Sequence, residues 1–325
     1  MLKGGNEYMK KDNEILFKTL AEGWLNQVKI ISKHSTYIKY RLIYQKYLEA
    51  KFSDYPVNKL TEDFLQLEIL KMSDISHMSN SLCRSIYCVL NQIMSYGKRY
   101  YHTQAIKLTF KKQHTQARPI DILNRTEQAR LIRVLYDDIN RDKLGIIICM
   151  STGLRLGEIC ALRWEDIDIR ERVLHVNRTV QRIEVDGGIT RTILLEGEPK
   201  SAFSKREIPI SDALSALLLS FYGSGRYVLR DNRPMEPRTY QNHFRRYLEE
   251  SEVERKNFHI LRHTFATNCI DNGADIKSLS EILGHSNVNI TLNRYVHPTL
   301  ETKRQHMNSL FSIYTKYIDK EETIF

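Results

Sequence analysis

This 325-residue chain has no run of about 18 apolar residues. Its densest apolar patch, GIIICM at 145–150, is far too short to cross a bilayer. The first residues, MLKGGNEYMKKDNE, lack the apolar core of a secretory signal. Both absences point to a cytoplasmic protein without a membrane partner. Cysteine is sparse: Cys83, Cys88, Cys149, Cys160 and Cys269 are scattered and form no CxxC pair. That excludes a zinc ribbon and a thioredoxin-like redox site, and it suggests reduced, mostly buried thiols. Internal repeats and low-complexity blocks are also missing. With 42% apolar and 27% charged residues, the chain is long enough for two ordinary globular domains, each with its own core.

Negative charge is scarce at one end. Residues 1–118 hold 19 Lys and Arg against 10 Asp and Glu, which is +9 of the total +10. Such an excess is either a basic solvated surface or the footprint of a polyanion partner held through counterion release.

Past a tail at 1–13, apolar residues recur at helical spacing in 15–30, 36–52, 61–74 and 79–100, the third opening on a Thr cap with Glu and Asp behind it. No strand alternation interrupts them, so 14–100 reads as a helical bundle. Residues 101–120 lose the period and carry Lys107, Lys111, Lys112 and Arg118, which fits a basic interdomain linker or an ordinary solvated loop. A second domain, 121–300, begins at the cap Asn124-Arg-Thr-Glu127, with helices expected at 124–140, 142–152 and 155–163. Then 172–183, 189–197 and 206–210 are β-rich, with Asp186-Gly187-Gly188 as a turn, giving a small three-stranded antiparallel sheet. Helix resumes from 211. The fold class is mainly α with a small antiparallel β-sheet (α+β).

Four segments of the second domain concentrate phosphate-capable side chains. In TGLRLGEICALRWEDID (152–168), Gly153 ends one helix and Arg155 begins the next, with Glu158 one turn on to hold its fork. In EGEPKSAFSKREIPI (196–210), Lys200 lies between the second and third strands, with Lys205 and Arg206 as nearby competitors. In FHILRHTFATN (258–268), His259 and Arg262 share a helix face and set a proton carrier beside a phosphate clamp. His259 and His263 are four apart, but Ile260 stands where a zinc-protease motif needs Glu; His263 reads as a structural hydrogen-bonding residue. In LSEILGHSNVNITLNRYVH (279–297), Gly284 and His285 are followed ten residues later by Tyr295. Each feature alone is commonplace; their order is distinctive.

That order resembles the tyrosine recombinases, the phage-integrase and Xer-type enzymes, through TGLRLGEICALRW, PK before the third strand, HILRHTFAT and LGHSNVNITLNRYVH. The resemblance is dense over 121–300 and looser over the N-terminal helices, which are similar to that family's core-binding domain. It implies a helical core-binding domain and a catalytic domain closing as a C-shaped clamp around DNA. It also implies that Tyr295 attacks a phosphodiester to form a 3′-phosphotyrosine. Arg155 and Arg262 would bind the non-bridging oxygens, Lys200 would protonate the 5′-oxygen, His259 would accept the Tyr295 proton, His285 would hydrogen-bond the phosphate, and Glu158 would support them.

No metal or nucleotide cofactor is implied. The implied partners are double-stranded DNA bearing a specific site and a homotetramer assembled on it, with room for an accessory directionality factor. The setting would be the nucleoid. The tail at 301–325, apolar at Met307, Leu310, Phe311, Ile313 and Tyr314, would dock on a neighbouring protomer or pack on its own domain. Only about 13 residues precede the first helix, so an arm-binding module is not expected. The motif wording leans towards integration and excision of a mobile element. Xer-like dimer resolution, a non-catalytic DNA-binding accessory protein and a type IB topoisomerase-like nicking enzyme are the alternatives.

Overall fold

A computed structural model describes residues 14–75, 78–110, 120–184, 192–199, 202–223, 225–296, 300, 303–304 and 307–311. These fall into two compact units divided within the 111–119 segment. Among the described residues no helix is long and apolar enough to cross a membrane.

In the first unit, helix α1 (Phe17–Ile31) places Phe17, Leu20, Ala21, Trp24, Leu25 and Val28 on one buried face, the stripe that three-and-four spacing produces. Then come α2 (His34–Ile43), a π-helical turn (Tyr44–Leu48), α3 (Glu49–Phe52), α4 (Glu62–Ile75) and α5 (Asn80–Tyr101). Thr61 caps α4 through the Phe64 N–H, and Ser79 caps α5 through the Leu82 N–H. The 36–52 pattern is therefore helical, but the π turn interrupts it at 44–48. Residues 102–110 have no regular structure, yet Ile106 and Leu108 are buried in the bundle core. The Asn91 side chain pins them, donating to the Leu108 carbonyl (2.9 Å) and accepting from its N–H (2.7 Å).

The second unit opens with α6 (Arg125–Tyr136), whose expected cap is a full reciprocal box between Asn124 and Glu127. Next is α7 (Arg141–Thr152), buried continuously from Leu144 to Cys149 and therefore central, and then α8 (Leu156–Ala161). The β region differs from the single three-stranded sheet read from sequence. β1 (Ile167–Asp168), β2 (Val173–Val176) and β5 (Arg206–Pro209) pair antiparallel in that order. β3 (Thr179–Glu184) and β4 (Thr192–Gly197) form a separate antiparallel pair. The run 172–183 breaks at Asn177-Arg178 because both side chains turn to the buried Asp166 carboxylate, Asn177 at 3.1 Å and Arg178 at 2.5 and 2.6 Å. The Asp186-Gly187-Gly188 turn lies outside the described residues. Helices α9 (Asp212–Phe221), α10 (Pro237–Glu250), α11 (Ile260–Asp271), α12 (Ile276–Leu283) and α13 (Val288–Tyr295) complete the unit. Of the tail after 301, residues 303–304 and 307–311 are described, all exposed.

Gly157 allows α8 to lie directly on β3. A Cβ there would stand 2.5 Å from Thr179 Oγ1 and 2.6 Å from the Val180 carbonyl oxygen, a backbone atom that cannot swing away. Gly157→Ala is expected to cost about 1–3 kcal/mol, read as a lower midpoint in thermal melting of the whole chain. An unchanged melt would mean that the contact is loose.

Candidate active site

The site is organised by two helix C-termini. Gly153 (φ +67°) stops α7 and Gly284 (φ +63°) stops α12, both in the left-handed region that glycine adopts without strain. Carbonyls at such ends lack intrahelical partners and carry the negative end of the helix dipole. Here they receive guanidiniums. Arg262, on the first turn of α11, donates from Nη1 to the Gly153 carbonyl (2.9 Å) and from Nη2 to the Leu283 carbonyl (2.6 Å). Arg155, the N-cap of α8, donates from Nη2 to the Gly284 carbonyl (3.1 Å).

Glu158 supplies the counter-charge. Its carboxylate accepts from the Arg155 backbone N–H (2.9 Å) and Nη1 (2.7 Å), and from Arg206 Nη1 (3.1 Å) and Nη2 (2.8 Å). Burial works against its charge, but the Arg206 hydrogen bonds and the charges of Arg206 and Arg155 win, holding the carboxyl down at about 2. The Glu158–Arg206 pair is desolvated on both sides, with side chains 4% and 5% exposed. Arg155 keeps about a third of its side chain open to solvent. Arg262 is fully buried; burial, then the Arg155 charge, lower its pKa to about 9, so it stays cationic at neutral pH.

His285 follows Gly284 and lies 3.0 Å from Arg262 Nη2 through Nε2. Arginine has no acceptor, so Nε2 must accept and the ring proton sits on Nδ1, which donates to Thr291 Oγ1 at 2.8 Å. His259 is the N-cap of α11 and remains exposed. Its ring meets that of His263 edge to face at 4.6 Å. The Tyr295 hydroxyl, at the end of α13, is hydrogen-bonded by His263 Nδ1 at 2.7 Å. The Tyr295 ring is buried against Ala266, Leu279 and Leu283. Burial raises its pKa despite the opposing charges of Arg262 and Arg294. His263 and His285 are pushed down to about 4, first by loss of water and then by surrounding positive charge, from Arg262 and Arg294 in both cases.

Arg155, Glu158, Arg262, His285 and Tyr295 therefore converge, and His259 borders them. Lys200 lies outside the described residues, as do Lys111, Lys112 and Arg118, while Lys107 is exposed in the first unit. Of the two competitors of Lys200, Lys205 is ion-paired with Glu198 (2.8 Å) and Arg206 is the buried partner of Glu158. Sequence reasoning missed the site roles of Arg206, His263 and Thr291. His263 and Thr291 each fall one helical turn from a residue that was singled out, on the same face. Nothing in the sequence marks Arg206 as the second ligand of Glu158.

Residues 122–302, more than half of the chain, match the model of the phage integrase family, and residues 16–73 match the phage integrase N-terminal SAM-like domain. The chain belongs to the phage integrase family. It is 28% identical over 196 residues to a XerC-like tyrosine recombinase of Caldanaerobacter subterraneus, covering 54% of this chain and 50% of that one. It is 26% identical over 240 residues to transposase A of transposon Tn554 from Staphylococcus aureus, covering 70% and 59%. The chain thus spans about half the length of the curated relatives it matches. Among solved structures, the Tn1549 transposon integrase in complex with transposon right end DNA superposes with a TM-score of 0.76. Its identity is 20%, over 91% of this chain and 99% of that one. A lambda integrase tetramer bound to a Holliday junction gives 0.64 at 15% identity, over 91% and 84%. At these identities the two structures establish the fold.

Two predictions follow from the charge arrangement. Glu158→Gln leaves Arg206 buried without an anion and is expected to cost about 3–5 kcal/mol, measured by chemical denaturation; a loss under 1 kcal/mol would mean that the pair is solvated. A histidine that binds its proton near 6.5 unfolded but near 4 folded stabilises the native state fully above about 6.5 and loses that contribution as pH falls towards 4. Glu158, lowered from 4.5 to about 2, acts in the same direction at lower pH. Stability should therefore fall with acidification from about pH 6.5, and NMR titration should show the His263 and His285 rings neutral at pH 6. Normal midpoints near 6.5 would remove the basis for this.

Proposed function

We propose that this chain is a site-specific DNA recombinase that cleaves and rejoins DNA through a 3′-phosphotyrosyl intermediate at Tyr295. The observation that carries this reading is the convergence of Arg155, Arg262, His285 and Tyr295 on one place: both guanidiniums are held by the carbonyl end of α12, Arg262 meets His285, Glu158 holds Arg155, and Tyr295 reaches His263 on the same helix as Arg262. Two guanidiniums anchored on helix ends are pre-aimed, so they stabilise charge developing on a pentacoordinate phosphorus without reorganising. Such an arrangement supplies positive charge where many nucleases use divalent ions. In this reading Arg155 and Arg262 grip the non-bridging oxygens, His285 contacts the phosphate, His259 assists proton transfer, and Lys200 protonates the 5′-oxygen. The phosphotyrosyl bond keeps the energy of the broken diester, so a second 5′-hydroxyl can complete the exchange without ATP.

The proposed partners are a duplex carrying a recombination site and other copies of the same chain. The basic surplus of residues 1–118, Lys107 included, would make phosphate contacts, and binding should weaken steeply with salt. The lambda integrase tetramer on a Holliday junction supports a tetramer as the working form, and the exposed Met307, Leu310 and Phe311 are suited to a contact between protomers. An accessory directionality factor and a nucleoid setting belong to the same proposal. Integration and excision of a mobile element is the preferred task, supported by similarity to the Tn554 transposase and the Tn1549 integrase. The XerC-like relatives favour dimer resolution as the second reading.

Covalent capture tests these readings. Wild type and Tyr295→Phe are expressed in the source cell, denatured in SDS, and the protein-linked DNA is sequenced. Discrete sites are expected with wild type only, at element ends for integration or at one replicon locus for resolution. Arg262→Ala should lower the yield by orders of magnitude while leaving DNA binding. Equal recovery with Tyr295→Phe would overturn the nucleophile, and no recovery from either would favour a non-catalytic DNA-binding protein.

A further inference from the structure

The ring that accepts the tyrosine hydroxyl's hydrogen bond is an unexpected one. His263 reaches it, one turn beyond His259 on the same face of α11, with Nδ1 2.7 Å from Tyr295 Oη. Resting on the recombinase reading above, we propose that His263 is a catalytic residue, the group that takes the proton of Tyr295 as its oxygen attacks phosphorus.

The direction of the bond follows from the chemistry of its partners. Burial keeps the Tyr295 phenol protonated at neutral pH, and His263 is a neutral imidazole there. The phenol O–H therefore donates to the Nδ1 lone pair, and the His263 ring hydrogen sits on Nε2. The proton is thus already on the line it would travel. In the cleavage step the Oη–P bond forms and the P–O5′ bond breaks. The Oη proton moves to Nδ1, and the electron pair of the broken bond leaves on O5′, which takes a proton from Lys200. In religation a 5′-hydroxyl attacks phosphorus and gives its proton to the now neutral Lys200; the O5′–P bond forms, the Oη–P bond breaks, and the His263 Nδ1–H returns its proton to Oη. No oxidant, metal or nucleotide enters.

The charges facing His263 give the step a trigger. From α13 come Tyr295 and Arg294, from α11 His259 and Arg262, and from the segment before α6 Asp121. Arg294 and Arg262 oppose a second proton on the ring and Asp121 favours it. In the free protein burial, and after it these positive groups, keep the base weak, while burial keeps the phenol protonated although the same positive charges favour its ionisation. A phosphodiester docked on Arg155 and Arg262 brings a negative charge that offsets this field. His263 then gains basicity when the substrate arrives.

The test uses the full chain and a duplex carrying the site captured by wild type, once with the normal diester and once with sulfur replacing the 5′-bridging oxygen. A thiolate leaves without help from an acid, so sulfur restores variants that have lost the leaving-group proton donor and not those that have lost the base. His263→Asn keeps an acceptor close to the Nδ1 position but is no base; His263→Phe removes both. Covalent adduct formation is expected to slow by about 100-fold or more in both variants on both substrates, with DNA binding retained. The acid limb of the wild-type pH–rate profile should vanish, and Lys200→Ala should recover on the sulfur substrate. Wild-type rates for His263→Asn would overturn the proposal, as the ring would then be only an anchor. Recovery of His263→Asn on sulfur would overturn it too, placing the loss at the leaving group. If wild type forms no adduct, the recombinase reading itself falls, which distinguishes that failure from this one.

Discussion

A guanidinium taken out of water needs an anion or well-aimed dipoles, and the second unit is built around meeting that need. Arg206 and Arg262 are both almost wholly buried. Arg206 is neutralised by Glu158, a pair whose two halves are costly to bury singly and roughly balanced together. Among the described residues Arg262 has no carboxylate of its own and is held by the carbonyl ends of α7 and α12 instead. Full charge compensation would make it inert towards a phosphate. Dipoles hold it in place while leaving most of its charge available.

The same arrangement explains why short helices matter here. α8 has only six residues, α12 and α13 eight each. None would be stable alone. Their value is in their ends, which present an N-cap arginine, a row of acceptor carbonyls and a tyrosine. Gly153 and Gly284 fix where those ends fall, and Gly157 sets how closely α8 approaches β3.

Much of this was legible in the sequence because the main signals are local. Helical periodicity placed α1, α4, α5 and α7, and the Asn124–Glu127 box marked the start of α6. The order Arg155, Lys200, His259 with Arg262, His285 and Tyr295 pointed to one site; the structure brings Arg155, Arg262, His285 and Tyr295 together with His259 at the border, while Lys200 lies outside the described residues. What failed were judgements needing distant partners. The 172–183 run has β propensity throughout, but Asp166, six residues before it, claims Asn177 and Arg178 and splits it into two sheets. Ile106 and Leu108 sat in a stretch read as linker, since two apolar residues without period give no sign of the Asn91 side chain that fastens them. Arg206 was read only as a competitor of Lys200 and His263 only as a structural hydrogen-bonding residue; it takes three-dimensional packing to pair Arg206 with Glu158 and His263 with Tyr295.

Helix α13 joins the two histidine contacts. Thr291 and Tyr295 are four residues apart, so they project from one face, and each holds an imidazole: Thr291 that of His285, Tyr295 that of His263. The helix behaves as a plug with two pins. A shift that withdraws Tyr295 also pulls Thr291, so both rings lose their partners together. A small push on one eight-residue helix therefore releases both rings at once, with no intermediate setting in which Tyr295 is withdrawn while His285 is still held.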